Sequence, residues 1–222
     1  MTIRLEVLTD PGAVAVRGAA AVADAAREAI GARGGFAFAV SGGRTPWAMF
    51  EILTGEDLPW DDVAIWQVDE RIAPDGDPDR NLTGLAPLLP PAAAFHPMPV
   101  ADPDPEAAAS RYAASLPPVF DLVHLGMGDD GHTASLVPGD PVLTLRDRDV
   151  ALTGEYRGRR RMTLTFPPLA RARRVLWLVA GPDKAAVLPL LLRGDPAIPA
   201  GRVGAVDQLV LADAASAAGL DP

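Results

Sequence analysis

Short apolar runs that end at glycine, proline or aspartate alternate along this chain with alanine-rich stretches of helical period. No other feature of the sequence constrains its fold as tightly. Segments such as 36–40 and 175–180 are apolar throughout, not at every second position. A strand with one wet face alternates; a solid apolar run has to be buried on both faces, which a parallel sheet between two helical layers provides. Strands are predicted over 3–8, 36–40, 63–68, 120–125, 161–166, 175–180 and 206–211. Helices are predicted over 10–30, 46–53, 104–115 and 181–192, the first opened by Asp10-Pro11 with proline at a tolerated first-turn position. There is no internal repeat, and the proline-rich stretch 89–105 is too short to separate two cores. The expectation is one α/β domain over 1–222, a Rossmann-like parallel sheet flanked by helices on both faces.

Composition removes several classes of function. The 222 residues include no cysteine, which excludes disulfides, iron–sulfur clusters, thiolate zinc sites and cysteine nucleophiles together. Three scattered histidines without an HxxxH-type pair give no metal signature, and no metal or other cofactor is expected. A net charge of −9 makes nucleic acid a poor partner unless a basic face is concentrated somewhere. The first residues, MTIRLE, lack the layout of a signal peptide, and no apolar run approaches the roughly 18 residues of a membrane span. A cytoplasmic protein without a membrane partner is expected. Any anionic ligand must then be held by a few cations gathered locally.

Four segments with unusual chemistry fall at predicted strand ends, where open α/β sheets bind their ligands. Ser41-Gly42-Gly43-Arg44-Thr45-Pro46 follows a strand and precedes a helix. Its glycines would let backbone amides approach a phosphate; equally, Thr45 could simply cap the helix with Pro46 at its first position. Asp69-Glu70-Arg71 reads either as a fixed ion pair or as an anion-gripping arginine. Gly126-Met127-Gly128-Asp129-Asp130-Gly131 matches GxGxxG formally, but its two acids would face a pyrophosphate, and Pro138, Gly139 and Pro141 interrupt the helix that a dinucleotide site requires.

The next residue, His132, lies in this polar loop with a carboxylate nearby to orient it, and is the best candidate for a general base. His96 and His124 sit in structural surroundings. Lys184 places an ammonium near a predicted helix start, an arrangement that favours a bridging anion. In the cluster Arg159-Arg160-Arg161 only Arg161, entering a strand, need point inward. No GxSxG elbow is present, so a hydrolase built on these residues would activate water directly.

Together the segments SGGRTP at 41–46, VDER at 68–71, GMGDDGHTASLVPG at 126–139, RMTLTFPPL at 161–169 and GPDKAAVL at 181–188 resemble the 6-phosphogluconolactonase family over nearly the whole chain. More distantly they are similar to the glucosamine-6-phosphate deaminases and isomerases that share its fold. The resemblance implies metal-free hydrolysis of a phosphorylated sugar lactone, with His132 as the base and Asp130 supporting its loop. It implies that Ser41, Gly42, Gly43, Arg44, Thr45, Arg161 and Lys184 hold the phosphate. Arg71 would add a positive group, and Asp69, Asn81 and Gly128 would shape the sugar side of the pocket. Backbone amides of 126–131 are the expected oxyanion donors. The protein would act as a monomer or weak homo-oligomer.

Two positions depart from the family pattern: Arg80 stands where serine is common and Val137 where phenylalanine is common. The deaminases need a further carboxylate a few residues after the histidine. Here that stretch is Ser135-Leu136-Val137-Pro138, with Val137 in the carboxylate's place. Hydrolysis needs only one activated water, so lactonase is preferred over an aminosugar-phosphate deaminase, and over a non-catalytic sugar-phosphate-binding regulator of the same fold.

Overall fold

The structure, a computed structural model, describes residues 2–220. Its strands are β1 (Thr2–Leu8), β2 (Phe36–Val40), β3 (Val63–Gln67), β4 (Asp69–Arg71), β5 (Ala94–His96), β6 (Leu122–Leu125), β7 (Val150–Leu152), β8 (Arg161–Leu164), β9 (Val175–Val179) and β10 (Asp207–Asp213). Seven of them form a parallel sheet in the order β1-β10-β9-β6-β2-β3-β5. The other three make a small antiparallel sheet, β4-β8-β7. The α-helices are α1 (Pro11–Arg33), α2 (Arg44–Leu53), α3 (Asn81–Leu85), α4 (Pro105–Ser115), α5 (Phe166–Ala170) and α6 (Leu188–Leu192).

The solid apolar strands serve two cores because successive side chains point to opposite faces. From β2, Phe36, Phe38 and Val40 enter the core beneath α1 and α2, while Ala39 joins the opposite one. From β9, Leu176 and Leu178 go to the first core, and Val175, Trp177 and Val179 to the second, which α4, α5 and α6 close. The rings of Phe38 and Phe50 lie 6.0 Å apart in the first core, and burying one such side chain contributes about 1.5–3 kcal/mol. Helix α1 is capped at Asp10, whose Oδ1 accepts from the Ala13 amide at 2.9 Å, and it ends at Gly34 with φ +76°.

The strand order places the ligand crevice. The chain leaves β2 toward β3 and β5 on one side, and leaves β6 toward β9 and β10 on the other. Connections from the carboxyl ends of neighbouring β2 and β6 therefore diverge and leave a cleft between them. Across it the Ser41 amide donates to His124 Nδ1 at 3.3 Å, and the Ser41 hydroxyl donates to the His124 carbonyl at 3.3 Å.

Several predicted elements are corrected. Residues 161–166 are not a strand of the parallel sheet: β8 stops at Leu164 and pairs antiparallel with β4 and β7, and Phe166 opens α5. A single helix over 181–192 does not form, because Pro189 has no N–H to give the carbonyl one turn back. A 3-10 turn, Pro182–Lys184, is followed by the short α6 instead. Helix α2 begins at Arg44, with Gly43 (φ +132°) turning the chain and its carbonyl accepting from the Trp47 amide at 3.0 Å. Thr45 is thus inside the helix and does not cap it. Strands β5 and β7, three residues each, were not expected.

Candidate active site

The cleft at the switch point is a cavity of about 320 Å³. Ser41 and Gly42 from the turn after β2, Asp69 and Arg71 from β4, Asn81 from α3, and Gly128 and His132 from the loop after β6 all line it, as do Arg161 and Lys184. Residues from six separate stretches of chain thus meet in one place. Gly43, Arg44 and Thr45 are not among its wall residues; Arg44 is exposed at the start of α2, and its charge helps to lower the pKa of Asp183 in the wall.

His132 is held by its neighbour two residues earlier. Its ring Nδ1 lies 2.6 Å from Asp130 Oδ1, and its main-chain N–H donates to the same oxygen at 3.0 Å. Nδ1 therefore carries the ring proton, and Nε2 is the basic nitrogen. Burial alone would raise the Asp130 carboxyl; the hydrogen bonds from the His132 amide and ring outweigh it and hold it below its ordinary value. Asp130 stands behind the histidine and is not itself in the cavity wall. Gly128 is required for this packing: a Cβ there would lie 2.1 Å from His132 Nδ1. The loop is closed by its own amides, with Gly128 N–H on the His132 carbonyl at 2.8 Å and Gly131 N–H on the Gly128 carbonyl at 3.1 Å. Those two amides are engaged and cannot be the expected oxyanion donors.

The opposite wall is built around a buried acid. Glu70 is fully buried and accepts from the amides of Arg71, Asn81 and Leu82 and from the Gln67 side chain, at 2.7–2.9 Å. Arg80, which is also buried, faces it at 3.8 Å and pairs with Asp75 on its other side. The VDER segment is therefore not an Asp–Arg ion pair. Arg71 donates instead to Asn81 Oδ1 at 2.6 Å and to the Asp79 carbonyl at 2.8 Å. Asn81 Nδ2 donates to the Asp69 carbonyl at 3.0 Å, and Asp69 Oδ2 accepts from the Ser135 hydroxyl at 2.6 Å. Gly42 permits the close approach here, since a Cβ would lie 2.1 Å from Asn81 Oδ1.

Four cations, Arg71, Arg157, Arg161 and Lys184, share the walls with three acids, Asp69, Asp129 and Asp183. Arg161 is buried with its Nε unpartnered among the described residues, and Nη1 reaches Ser135 Oγ at 3.4 Å. Burial holds the Arg161 pKa below its ordinary value, with the charge of Asp69 opposing the shift without cancelling it. Lys184 is not the lone ammonium at a helix start that the sequence indicated: its Nζ lies 2.6 Å from Asp183 Oδ2. An anion entering here meets one buried guanidinium with an open donor and one ammonium shared with a surface carboxylate.

Sequence reading missed Arg157 in the wall and Tyr156 behind it. Tyr156 lies against His132 with ring centroids 5.5 Å apart. Their only local signal is the Arg157-Gly158 turn, which becomes legible once β7 and β8 are known to pair. Among the described residues no cluster of three or more His, Asp or Glu side chains is arranged to hold a metal ion.

Residues 9–211 match the family described as glucosamine-6-phosphate isomerases/6-phosphogluconolactonase. The chain is 38% identical over 203 residues to a 6-phosphogluconolactonase of Synechocystis sp., covering 85% of this chain and 84% of that one. It is 35% identical over 199 residues to a 6-phosphogluconolactonase of Nostoc sp., covering 83% and 82%. Among solved structures, a 6-phosphogluconolactonase from Shewanella baltica superimposes with a TM-score of 0.87 at 28% identity, over 96% of this chain and 98% of that one.

Proposed function

The chain belongs to the glucosamine-6-phosphate isomerase/6-phosphogluconolactonase family, and from that premise we propose that it hydrolyses 6-phospho-D-glucono-1,5-lactone to 6-phospho-D-gluconate, in the oxidative pentose phosphate pathway, with His132 as general base. The observation that carries the mechanism is the 2.6 Å contact of His132 Nδ1 with Asp130, in a cavity that also holds Arg161 and Lys184. It leaves Nε2 free to take a proton from a water molecule as that water adds to C1 of the lactone. The tetrahedral intermediate collapses by breaking the bond from C1 to the ring oxygen. The proton on His132 passes to the departing oxygen, which becomes the C5 hydroxyl, and the new carboxylic acid ionises to solvent. General-base assistance contributes roughly 10²–10⁴-fold, and a lactone already reactive in water needs little beyond that and correct placement.

Gly42, Arg161 and Lys184 hold the phosphate in this reading, with Ser41 beside them once its hydroxyl turns from the long 3.3 Å bond to the His124 carbonyl, while Arg71, Asn81, Asp69 and Gly128 form the sugar side. Gly43, Arg44 and Thr45 are left with a structural part in starting α2. The reaction needs no cofactor. Val137, buried and apolar where a deaminase needs a carboxylate, supports hydrolysis over deamination. We place the enzyme in the cytoplasm as a monomer or weak homo-oligomer, residues 1–222 acting as one unit, without nucleic-acid or membrane partners. The acidic net charge supports the exclusion of nucleic acid, and no helix among the described residues is long and apolar enough to cross a membrane.

The test is acid release from freshly generated lactone, measured over the spontaneous background. Acceleration by the wild type and its loss in His132→Gln are expected. No acceleration in the wild type overturns the lactonase reading and leaves the regulator; full acceleration in His132→Gln overturns the mechanism.

A further inference from the structure

The turn joining β7 to β8 is centred on Arg157 and Gly158, whose φ angles of +51° and +76° are those of a type I′ turn. Asparagine and glycine suit the first of these positions; arginine does not, so turn chemistry alone does not account for Arg157. The turn is closed by Tyr156 and Arg159, whose main chains exchange hydrogen bonds of 3.0 and 3.3 Å. This geometry brings Tyr156 across to the loop that follows β6. Its hydroxyl donates to Asp130 Oδ2 at 3.3 Å, and its ring meets the His132 imidazole edge to face at 64°. The guanidinium carbons of Arg157 and Arg161 lie 5.2 and 5.1 Å from the centre of the same ring. One oxygen of Asp130 is therefore occupied by His132 and the other by Tyr156.

We propose that Tyr156 is a positioning residue for the lactonase reaction, fixing the rotation and the acceptor strength of the Asp130 carboxylate and, through it, the orientation of His132. The inference rests on the proposed lactonase function. Tyr156 is not in the wall of the cavity, so it acts through Asp130 and not on the substrate. A neutral donor on Oδ2 draws charge away from Oδ1 and weakens its hold on a protonated imidazole, which lets His132 give its proton back to the departing ring oxygen. The same bond keeps the carboxylate from turning away while His132 cycles.

Tyr156→Phe removes only the hydroxyl. The ring contacts with His132, Arg157 and Arg161 remain, and so do the other charged groups around the dyad: Asp129 on its own loop, Arg71 on β4 and the Asp183–Lys184 pair after β9. The expected result is a fall in kcat of about 3- to 10-fold with KM within a factor of two. The acid limb of the kcat profile moves to higher pH by several tenths of a unit, the size of one modest hydrogen bond. The His132 ring resonances, assigned by their loss in His132→Gln, move in the same direction in a proton NMR titration. Only three histidines are present, and His124, which burial pushes down to about 3, does not interfere. Both shifts disappear when Tyr156→Phe is made in an Asp130→Asn background. A limb and a resonance midpoint unchanged in Tyr156→Phe overturn the proposal, as does a shift that persists at full size beside Asp130→Asn. A wild type that fails to accelerate lactone hydrolysis defeats the lactonase reading instead, and the NMR titration still decides whether Tyr156 and Asp130 are coupled.

Discussion

Asp130 Oδ1 receives two N–H donors from the same residue, the ring Nδ1 of His132 at 2.6 Å and its main-chain nitrogen at 3.0 Å. The carboxylate thus fixes the loop and the tautomer with one atom, and its lowered pKa keeps it ionised at neutral pH. His132→Gln should lower kcat by about 10²–10⁴-fold with KM nearly unchanged, since a base acts on the transition state and adds nothing to substrate binding. Asp130→Asn should lower kcat by less, because the base survives with its tautomer unspecified. Steady-state kinetics on both variants check this, and a large rise in KM with kcat preserved would contradict it.

The same loop explains a glycine. Gly128→Ala would put a methyl group 2.1 Å from His132 Nδ1 and 2.7 Å from Asp130 Oδ1. The imidazole has to move, and a displacement near 1 Å at a reacting group costs on the order of 10²-fold in rate. Because the loop faces the cavity and not a core, the melting temperature should stay close to wild type. Loss of activity accompanied by gross unfolding would show that Gly128 serves the fold instead.

The parallel sheet was legible because burial on both faces writes itself as solid apolar runs, as in β2 and β9. Strand β4 was not, since its residues are Asp-Glu-Arg and its pairing with β8 is satisfied by tertiary contacts that no local pattern announces. In the site, Gly128, Asp130 and His132 were readable together because they are neighbours in sequence. Tyr156 was not: it reaches Asp130 only through the β7–β8 hairpin, across a separation of 26 residues. The start of α2 at Arg44 was not legible either, because Pro46 suits a first helical position while the turn at Gly43 comes from its φ of +132°, which no local pattern announces.

Lys184 gives a prediction that separates binding from chemistry. Its ammonium already has Asp183 as a partner at 2.6 Å, so a phosphate gains only part of its charge. Lys184→Ala should raise KM for the phosphorylated lactone by roughly 10-fold, the scale of one charge-assisted hydrogen bond. With the unphosphorylated lactone, wild type and variant should have equal kcat/KM. An equal defect on both substrates would move Lys184 from the phosphate to the reacting end.

Away from the site, Asp207 ties the start of β10 to both its neighbours, accepting from Arg174, just before β9, at 2.8 Å and from Arg4 on β1 at 3.0 Å. Partial burial would raise its pKa, but the hydrogen bonds and charges of these two arginines prevail and lower it. A carboxylate whose folded pKa lies below its unfolded one stabilises the fold above the unfolded value, and that contribution is lost as pH falls through the folded value. Asp207→Asn should therefore be less stable than wild type at neutral pH, and the difference should shrink below about pH 4. Urea midpoints at pH 7 and pH 3 measure it. A gap of constant size would show that packing, not charge, is what Asp207 contributes.

Glu70 makes the strongest stability prediction. Its Oε1 accepts from the amides of Arg71 and Asn81 at 2.8 and 2.7 Å. Its Oε2 accepts from Leu82 N and Gln67 Nε2 at 2.8 and 2.9 Å, with Arg80 Nε at 3.8 Å. Every group facing this fully buried side chain is a donor. Glutamine, the usual conservative replacement, turns one acceptor oxygen into an NH₂ group pointed at two donors and removes the charge that compensates Arg80. Glu70→Gln should cost about 3 kcal/mol, within the range for breaking a buried pair, and should lower the urea midpoint without changing the slope. Asn81 and Arg71 hang from the same acid, so KM for the lactone should rise as well. A Glu70→Gln protein that melts with the wild type would mean that the 69–82 wall is held by its packing, with Glu70 merely accommodated inside it.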